Sequence, residues 1–256
     1  MSATVSDILQ MLQEIAPFET AEAFDNVGLL LGRGDRPVSR ILVALDVTMD
    51  VVNEAVQSGA ELIISHHPLL FRARKNLVEQ DPEALILCEL IRNHISLIAA
   101  HTNLDKTEWS GSACCARMLG LKSLRKEGEF LFLGDFVAPI TAKELKQKIS
   151  SVLSVSGRCY GDENQMIHTL AIAGGAYDEG WLDAMNAGAQ ALLTGEVRHH
   201  NALSATMSGF VLFDGGHYAT EAPLIGYLAA YLQNRLNDVQ CNVQVYQAQS
   251  APFTGA

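Results

Sequence analysis

Six of the eight histidines fall in four short fragments, three of which also carry a carboxylate. The fragments are Ile63-Ile64-Ser65-His66-His67-Pro68-Leu69-Leu70-Phe71, His101-Thr102-Asn103-Leu104-Asp105, Glu196-Val197-Arg198-His199-His200 and His217-Tyr218-Ala219-Thr220-Glu221. Neutral imidazole with carboxylate suits zinc, iron, manganese or cobalt. With no thiolate in the set, a purely structural zinc site is disfavoured. Two adjacent histidines in an extended segment point to opposite sides, so His66 and His67 could each serve a different ion. A glutamate can bridge two ions about 3.5–4 Å apart, the spacing of two-metal hydrolytic sites. His217 and Glu221 share a face on a helical turn, and so do His101 and Asp105 if their loop turns helically. A lone histidine at a strand end is more often a hydrogen-bonded loop residue, so the metal reading rests on the conjunction of the fragments. His199 and His200 are open between a pocket wall and a helix surface. His94 and His168 lack carboxylate company and read as structural.

The elements that must position these residues alternate. Ile8, Leu9, Leu12 and Ile15 have helical spacing, with Ser6 as the expected cap. Phe24 to Gly32 reads as a turn into a strand, and Arg40 to Leu45 as a strand covered on both faces. Thr48 caps a helix that Gly59 ends, and Leu62 to Ser65 is the next strand. The histidine pair therefore follows a strand's C-terminal end, where open α/β sheets gather ligands. Glu83 to His94 is helix, Ile95 to Ala100 strand, and a helix from Ser110 or Ser112 runs to Gly120. Lys122 to Gly128 is charged and reads as the linker, which divides the chain into lobes 1–125 and 126–256.

Beyond it, Phe130 to Val137 is strand and Thr141 caps a helix with Glu144 completing a capping box. Val155 to Tyr160, Ile167 to Ala173, Ala189 to Leu193, Phe210 to Phe213 and Cys241 to Tyr246 are strands. Helices are expected over Asp178 to Ala187, Glu196 to Ser208 and Glu221 to Leu236. Ala55 to His67 aligns with Ala184 to Glu196 as helix, Gly-Ala turn and strand, and the next strand in each half ends in H-x-x-x-[D/E]. This points to a duplication, and to an α/β fold of two related lobes with a shared metal-binding cleft.

The chain has 256 residues, 48% hydrophobic and 18% charged, which suits a globular protein with a substantial core. Its net charge of -11 argues against a nucleic-acid partner. No apolar run is long enough to span a membrane, and the N-terminus lacks a basic stretch followed by an apolar one. Five cysteines without C-x-x-C spacing read as reduced thiols of a cytoplasmic protein, with Cys114 and Cys115 in a helix core.

The motifs Phe24-Asp25-Asn26-Val27-Gly28-Leu29, Ser65-His66-His67-Pro68-Leu69, His101-Thr102-Asn103-Leu104-Asp105, Leu193-Thr194-Gly195-Glu196 and Gly216-His217-Tyr218-Ala219-Thr220-Glu221 lie in order along the chain. In them the sequence resembles the YbgI-like, Nif-three-like family, whose members carry the name GTP cyclohydrolase I type 2 homologue. The resemblance implies a dinuclear metal centre between two related α/β lobes and a ring-shaped homohexamer. It implies the ligands His66, His67, Asp105, His217 and Glu221, with Glu221 bridging, and His101 as a further ligand or a residue that steadies one. It also implies a metal-dependent hydrolase acting on a nucleotide or related small molecule. The competing reading is a non-enzymatic metal-delivery or regulatory scaffold. Asp25, His101, His200 or Glu196 could move protons. Arg72, Arg74 and Lys75 could meet a phosphate or lie in a solvated loop. Gly32-Arg33-Gly34-Asp35 is too short for a phosphate loop.

Overall fold

Thr4, not the expected Ser6, caps the first helix. In the computed structural model, which describes residues 3–253, strand β1 (Ala3–Thr4) runs into helix α1 (Val5–Ile15). The Thr4 hydroxyl accepts the Asp7 N–H, and the Asp7 carboxylate accepts the Thr4 N–H. That reciprocal pair satisfies two helix-end donors at once, which Ser6 has no acidic partner to do.

The chain continues through β2 (Gly28–Leu31), β3 (Pro37–Val38), β4 (Arg40–Ala44), α2 (Met49–Ser58), β5 (Leu62–Ser65), α3 (Pro82–Arg92), β6 (Ser96–Ala99) and α4 (Thr102–Asp105). Then follow α5 (Gly111–Met118), β7 (Lys122–Glu127), β8 (Leu131–Thr141), α6 (Ala142–Leu153), β9 (Arg158–Tyr160), β10 (Met166–Ile172), α7 (Trp181–Asn186), β11 (Ala191–Thr194), α8 (His199–Met207), β12 (Val211–Asp214) and α9 (His217–Glu221). The last elements are α10 (Pro223–Asp238) and β13 (Gln244–Gln247).

Two compact units result. The first takes the chain up to Thr107 and resumes at Ile225; the second is Glu108–Leu224. The first unit holds a five-stranded sheet in the order β13-β4-β5-β6-β2, parallel except for β2. Ile41, Leu42, Ile63, Ile64, Leu97 and Ile98 are fully buried, as a sheet covered on both faces requires. The second unit holds a six-stranded sheet in the order β7-β8-β10-β11-β12-β9, whose parallel centre is β10-β11-β12.

The path β4-α2-β5-α3-β6 therefore repeats as β10-α7-β11-α8-β12. In each unit the third parallel strand runs into a short helix, α4 or α9, that opens at a histidine. The sequence repeat falls on α2-β5 and α7-β11.

Three further expectations change. Lys122–Glu127 is not a linker but the edge strand β7, antiparallel to β8 and exposed along its length. Edge strands carry charge because charge discourages a further strand from pairing. The helix expected over Glu221 to Leu236 is α10 and starts at Pro223, because Pro223 has no N–H to continue α9, which ends at Glu221. The helix expected from Glu196 opens at His199, since Asp178 Oδ2 accepts the Arg198 N–H and holds that residue extended.

Candidate metal centre

The strand β5 delivers His66 and His67 to the sheet's C-terminal edge. His66 N–H donates to the Ala44 carbonyl and His67 N–H to the Leu45 carbonyl, so both backbones continue the pairing with β4. Ser65 Oγ donates to the His67 carbonyl at 2.8 Å and locks the turn before Pro68.

Every ring in the first unit's cluster has an oxygen acceptor at Nδ1. His66 Nδ1 lies 2.8 Å from the Ala100 carbonyl, His67 Nδ1 2.8 Å from Asp46 Oδ1, and His101 Nδ1 3.0 Å from Asp25 Oδ1. A carbonyl and an ionised carboxylate only accept, so each Nδ1 carries the proton. The neutral tautomer then carries its lone pair on Nε2, the atom that could take a metal ion. His66, His67 and His101 each offer one ligand atom, all within 4.8 Å of one another. Asp105 Oδ1 lies 3.5 Å from His66 Nε2. Donors on one tetrahedral ion with bonds of about 2.0–2.1 Å stand roughly 3.3 Å apart, so this pair has the spacing of one edge of a coordination shell.

Asp25 does more than hold one ring. Its carboxylate also accepts from Thr102 N–H and Thr102 Oγ1, and so ties the Phe24-Asp25-Asn26 loop to α4. Burial pushes the Asp25 carboxyl up. The hydrogen bonds from His101 and Thr102 outweigh it, and hold the group well below the usual carboxylate range.

In the second unit α9 places His217 and Glu221 one turn apart. His217 Nε2 lies 3.1 Å from Glu221 Oε2, and His217 Nδ1 2.7 Å from Glu196 Oε1. The same arrangement recurs: carboxylate at Nδ1, second carboxylate beside Nε2. Glu221 is 5% exposed, and a carboxylate so buried stays charged only opposite a cation or donors. Glycines make its room. A Cβ on Gly175 would come within 2.3 Å of Glu221 Oε1, and one on Gly111 within 2.8 Å of Glu221 Cα. A Cβ on Gly195 would meet His217 Cα at 2.6 Å. In the repeat Gly195-Glu196 stands where the first unit has His66-His67. The second unit thus lacks the histidine pair there and supplies instead the carboxylate that holds His217.

Glu196 sits on a fixed loop. Asp178 accepts from Arg198 N, Nε and Nη2 and from Asn201 Nδ2. Burial pushes the Asp178 carboxyl up, and these hydrogen bonds with the Arg198 charge hold it below the ordinary value.

The remaining candidates separate cleanly. His199 and His200 lie exposed on the first turn of α8, and His94 and His168 are exposed too. Cys114 and Cys115 are buried in α5; burial pushes the Cys114 thiol up to about 11 and the Cys115 thiol further. Both are core residues. Arg74 is tied to Asp81 and Glu83. Sequence reasoning missed Asp46. Its signal was a carboxylate one residue beyond the apolar run Arg40–Leu45, at the same sheet edge as the histidine pair. The Ala100 carbonyl gave none, being backbone.

A family model described as Duf34/NIF3 (NGG1p interacting factor 3) matches residues 3–252. A Streptomyces coelicolor protein called GTP cyclohydrolase 1 type 2 homolog is 33% identical, across 89% of this chain and 85% of its own length. A Clostridium acetobutylicum protein of the same name is 28% identical over 98% of this chain and 97% of its own. Among solved structures, a Staphylococcus aureus hypothetical protein superposes with a TM-score of 0.94 at 30% identity, covering 99% of both chains. A Bacillus cereus protein related to NIF3 has a TM-score of 0.93 at 21% identity, and shares the fold. The fold class is that of the NIF3 proteins, and the chain belongs to the Duf34/NIF3 family.

Proposed function

We propose that the protein binds two divalent metal ions and hydrolyses a nucleotide or a related small molecule. His66, His67, Asp105, His217 and Glu221 would hold the ions, with His101 as a further ligand or a residue that steadies one. The observation that supports this reading is the fixed tautomer: four histidines on strand-end fragments each have Nδ1 on an oxygen acceptor, which leaves the ring lone pair on Nε2, the atom a metal ion would take. Carboxylates 3.5 and 3.1 Å from two of those Nε2 atoms supply oxygen donors at coordination spacing.

The donor set of imidazole and carboxylate oxygen fits zinc, iron, manganese or cobalt. Bound in pairs, such ions lower the pKa of a coordinated water toward about 7 and polarise a substrate oxygen. The chain's own contribution is orientation: Asp25, Asp46 and Glu196 fix the rings, and Ser65 fixes the turn that carries two of them. The relatives' name suggests a nucleotide substrate.

The same reading has the chain assembling as a homohexameric ring in the cytoplasm. The five cysteines are free, as a reducing compartment would leave them. No helix among the described residues is long and apolar enough to cross a membrane.

The test is turnover by demetallated protein reloaded with each of zinc, iron(II), manganese and cobalt. The substrates are a panel of nucleotides including GTP, phosphoesters and cyclic amides. Turnover that appears with metal and disappears with chelator is the expected result. Stoichiometric metal uptake with no turnover of any substrate would overturn the hydrolase reading and leave a metal-delivery or regulatory role.

A further inference from the structure

Two phenylalanines break the usual rule for large apolar side chains. Phe24 is 65% exposed and Phe71 42% exposed. They come from separate loops, one before β2 and one after β5, and meet edge to face with ring centroids 6.3 Å apart. Phe71 in turn meets the ring of His101 edge to face at 6.4 Å. His101 packs against His67 at 5.5 Å and against His66 at 5.1 Å. A file of rings therefore runs without a gap from open solvent at Phe24 to the buried His66.

The pair is held, not loose. Asn26 Nδ2 donates to the Leu70 carbonyl and joins the two loops beside the rings. Asp25, next to Phe24, is clamped to His101 and Thr102. The second loop is braced by Arg74 against Asp81 and Glu83. Arg72 and Lys75 on that loop are exposed and enter no ion pair among the described residues. Rigid aromatic edges and faces open to water, next to cations and to His101, suit a flat ring that carries negative charge. Phenyl rings stack on any planar π-system, so such a wall selects for ring shape more than for a hydrogen-bond pattern.

We infer that Phe24 and Phe71 form the wall of a substrate subsite for a planar heteroaromatic ring bearing an anionic group, with Arg72 and Lys75 as the anion's partners. This deepens the metal-hydrolase reading, on which its catalytic meaning rests. It gives the ring of the substrate a place beside His101.

The test compares binding of AMP, GMP, CMP and UMP with that of ribose 5-phosphate, by titration calorimetry on the metal-loaded full chain. Metal content is measured on the same samples. The wild type should bind at least one of the nucleotides about ten- to a hundredfold more tightly than ribose 5-phosphate, the worth of one stacked ring. Phe24→Ala and Phe71→Ala should each lose most of that preference, with metal content and melting temperature unchanged. Phe71→Trp should retain it, and Arg72→Ala with Lys75→Ala should weaken nucleotides and ribose 5-phosphate alike. Equal binding of all five compounds to the wild type overturns the inference, as does undiminished nucleotide preference in both alanine variants. Leu77 and Val78 farther along the loop are also exposed, so light scattering accompanies the titrations. Loss of oligomer mass in the alanine variants with nucleotide preference intact would assign the wall to a contact between copies, and so overturn it too. A ring preference in protein that holds no metal would sink the metal reading and leave the subsite standing.

Discussion

Asp46 Oδ1 lies 2.8 Å from His67 Nδ1. The carboxylate comes from the end of β4 and the ring from the end of β5, so two neighbouring parallel strands fix one imidazole between them. The contact sets the tautomer, the ring plane and the basicity of Nε2 together. Asp46→Ala should weaken metal binding about 10- to 100-fold with little change in fold, as loss of such a partner does elsewhere. Competition with a chromophoric chelator measures it. Unchanged affinity would mean that His67 is not a ligand, or that its orientation is fixed by packing alone.

Glu196→Ala should do the same for His217, which it holds at 2.7 Å. Asp25→Ala should do more, because the lost carboxylate also accepts from Thr102 N and Oγ1. Four donors lose their acceptor, the Asn26 N–H among them, so the variant should lose stability as well as metal affinity, by about 1–3 kcal/mol for the unsatisfied groups. Urea unfolding of the metal-free protein separates the two effects: Asp25→Ala shifts the midpoint and Asp46→Ala does not.

Gly195 is fixed by closeness to backbone. An added Cβ would stand 2.6 Å from His217 Cα and 2.8 Å from the Gly175 carbonyl. Neither neighbour is a flexible side-chain tip, so the strain must move α9. Gly195→Ala should cost about 1–3 kcal/mol, as overpacking does, and should impair the His217–Glu221 pair. Gly188→Ala, where nothing lies within 4 Å of the added atom but φ is 91°, is the control for backbone strain alone. If both variants lose stability while only Gly195→Ala loses metal, the close contact is responsible.

Asp178 gives a pH dependence with a defined sign. Its folded pKa lies below the ordinary value because the Arg198 and Asn201 hydrogen bonds outweigh burial. A carboxyl of this kind contributes stability above its unfolded pKa of about 3.9, and that contribution is lost as pH falls through the lower folded value. The gap in unfolding free energy between wild type and Asp178→Asn should therefore be constant from about pH 8 to pH 5 and shrink below about pH 4. Denaturant melts across pH 3–8 measure it. A gap that widens on acidification would contradict the assignment.

Most of the local fold could be read from the chain because its causes are local. Thr141 with Glu144 forms the capping box that their spacing announces. Thr48 and Gly59 bound α2 as their chemistry requires. What could not be read depends on remote partners. Ser6 and Thr4 are equally good caps by type, and Asp7 decides between them. β7 looks like a linker because an exposed edge strand and a linker share a charged composition. The C-terminal segment returns to the first unit because β13 finds its partner in β4, some two hundred residues earlier in the chain.

The site divides the same way. His66, His67, His101, His217, Asp105 and Glu221 stood out because ligand residue types recur at strand ends. Asp46 did not, since one carboxylate after one strand has many possible uses. Its role appears only when β4 and β5 lie side by side.

Metal stoichiometry by elemental mass spectrometry, after loading and gel filtration, tests the central claim most directly. The wild type should hold about two ions per chain, as a two-metal site does. His67→Ala should hold fewer, and Glu221→Gln with His217→Ala should fall to near zero. Equal metal content in the wild type and both variants would contradict the account.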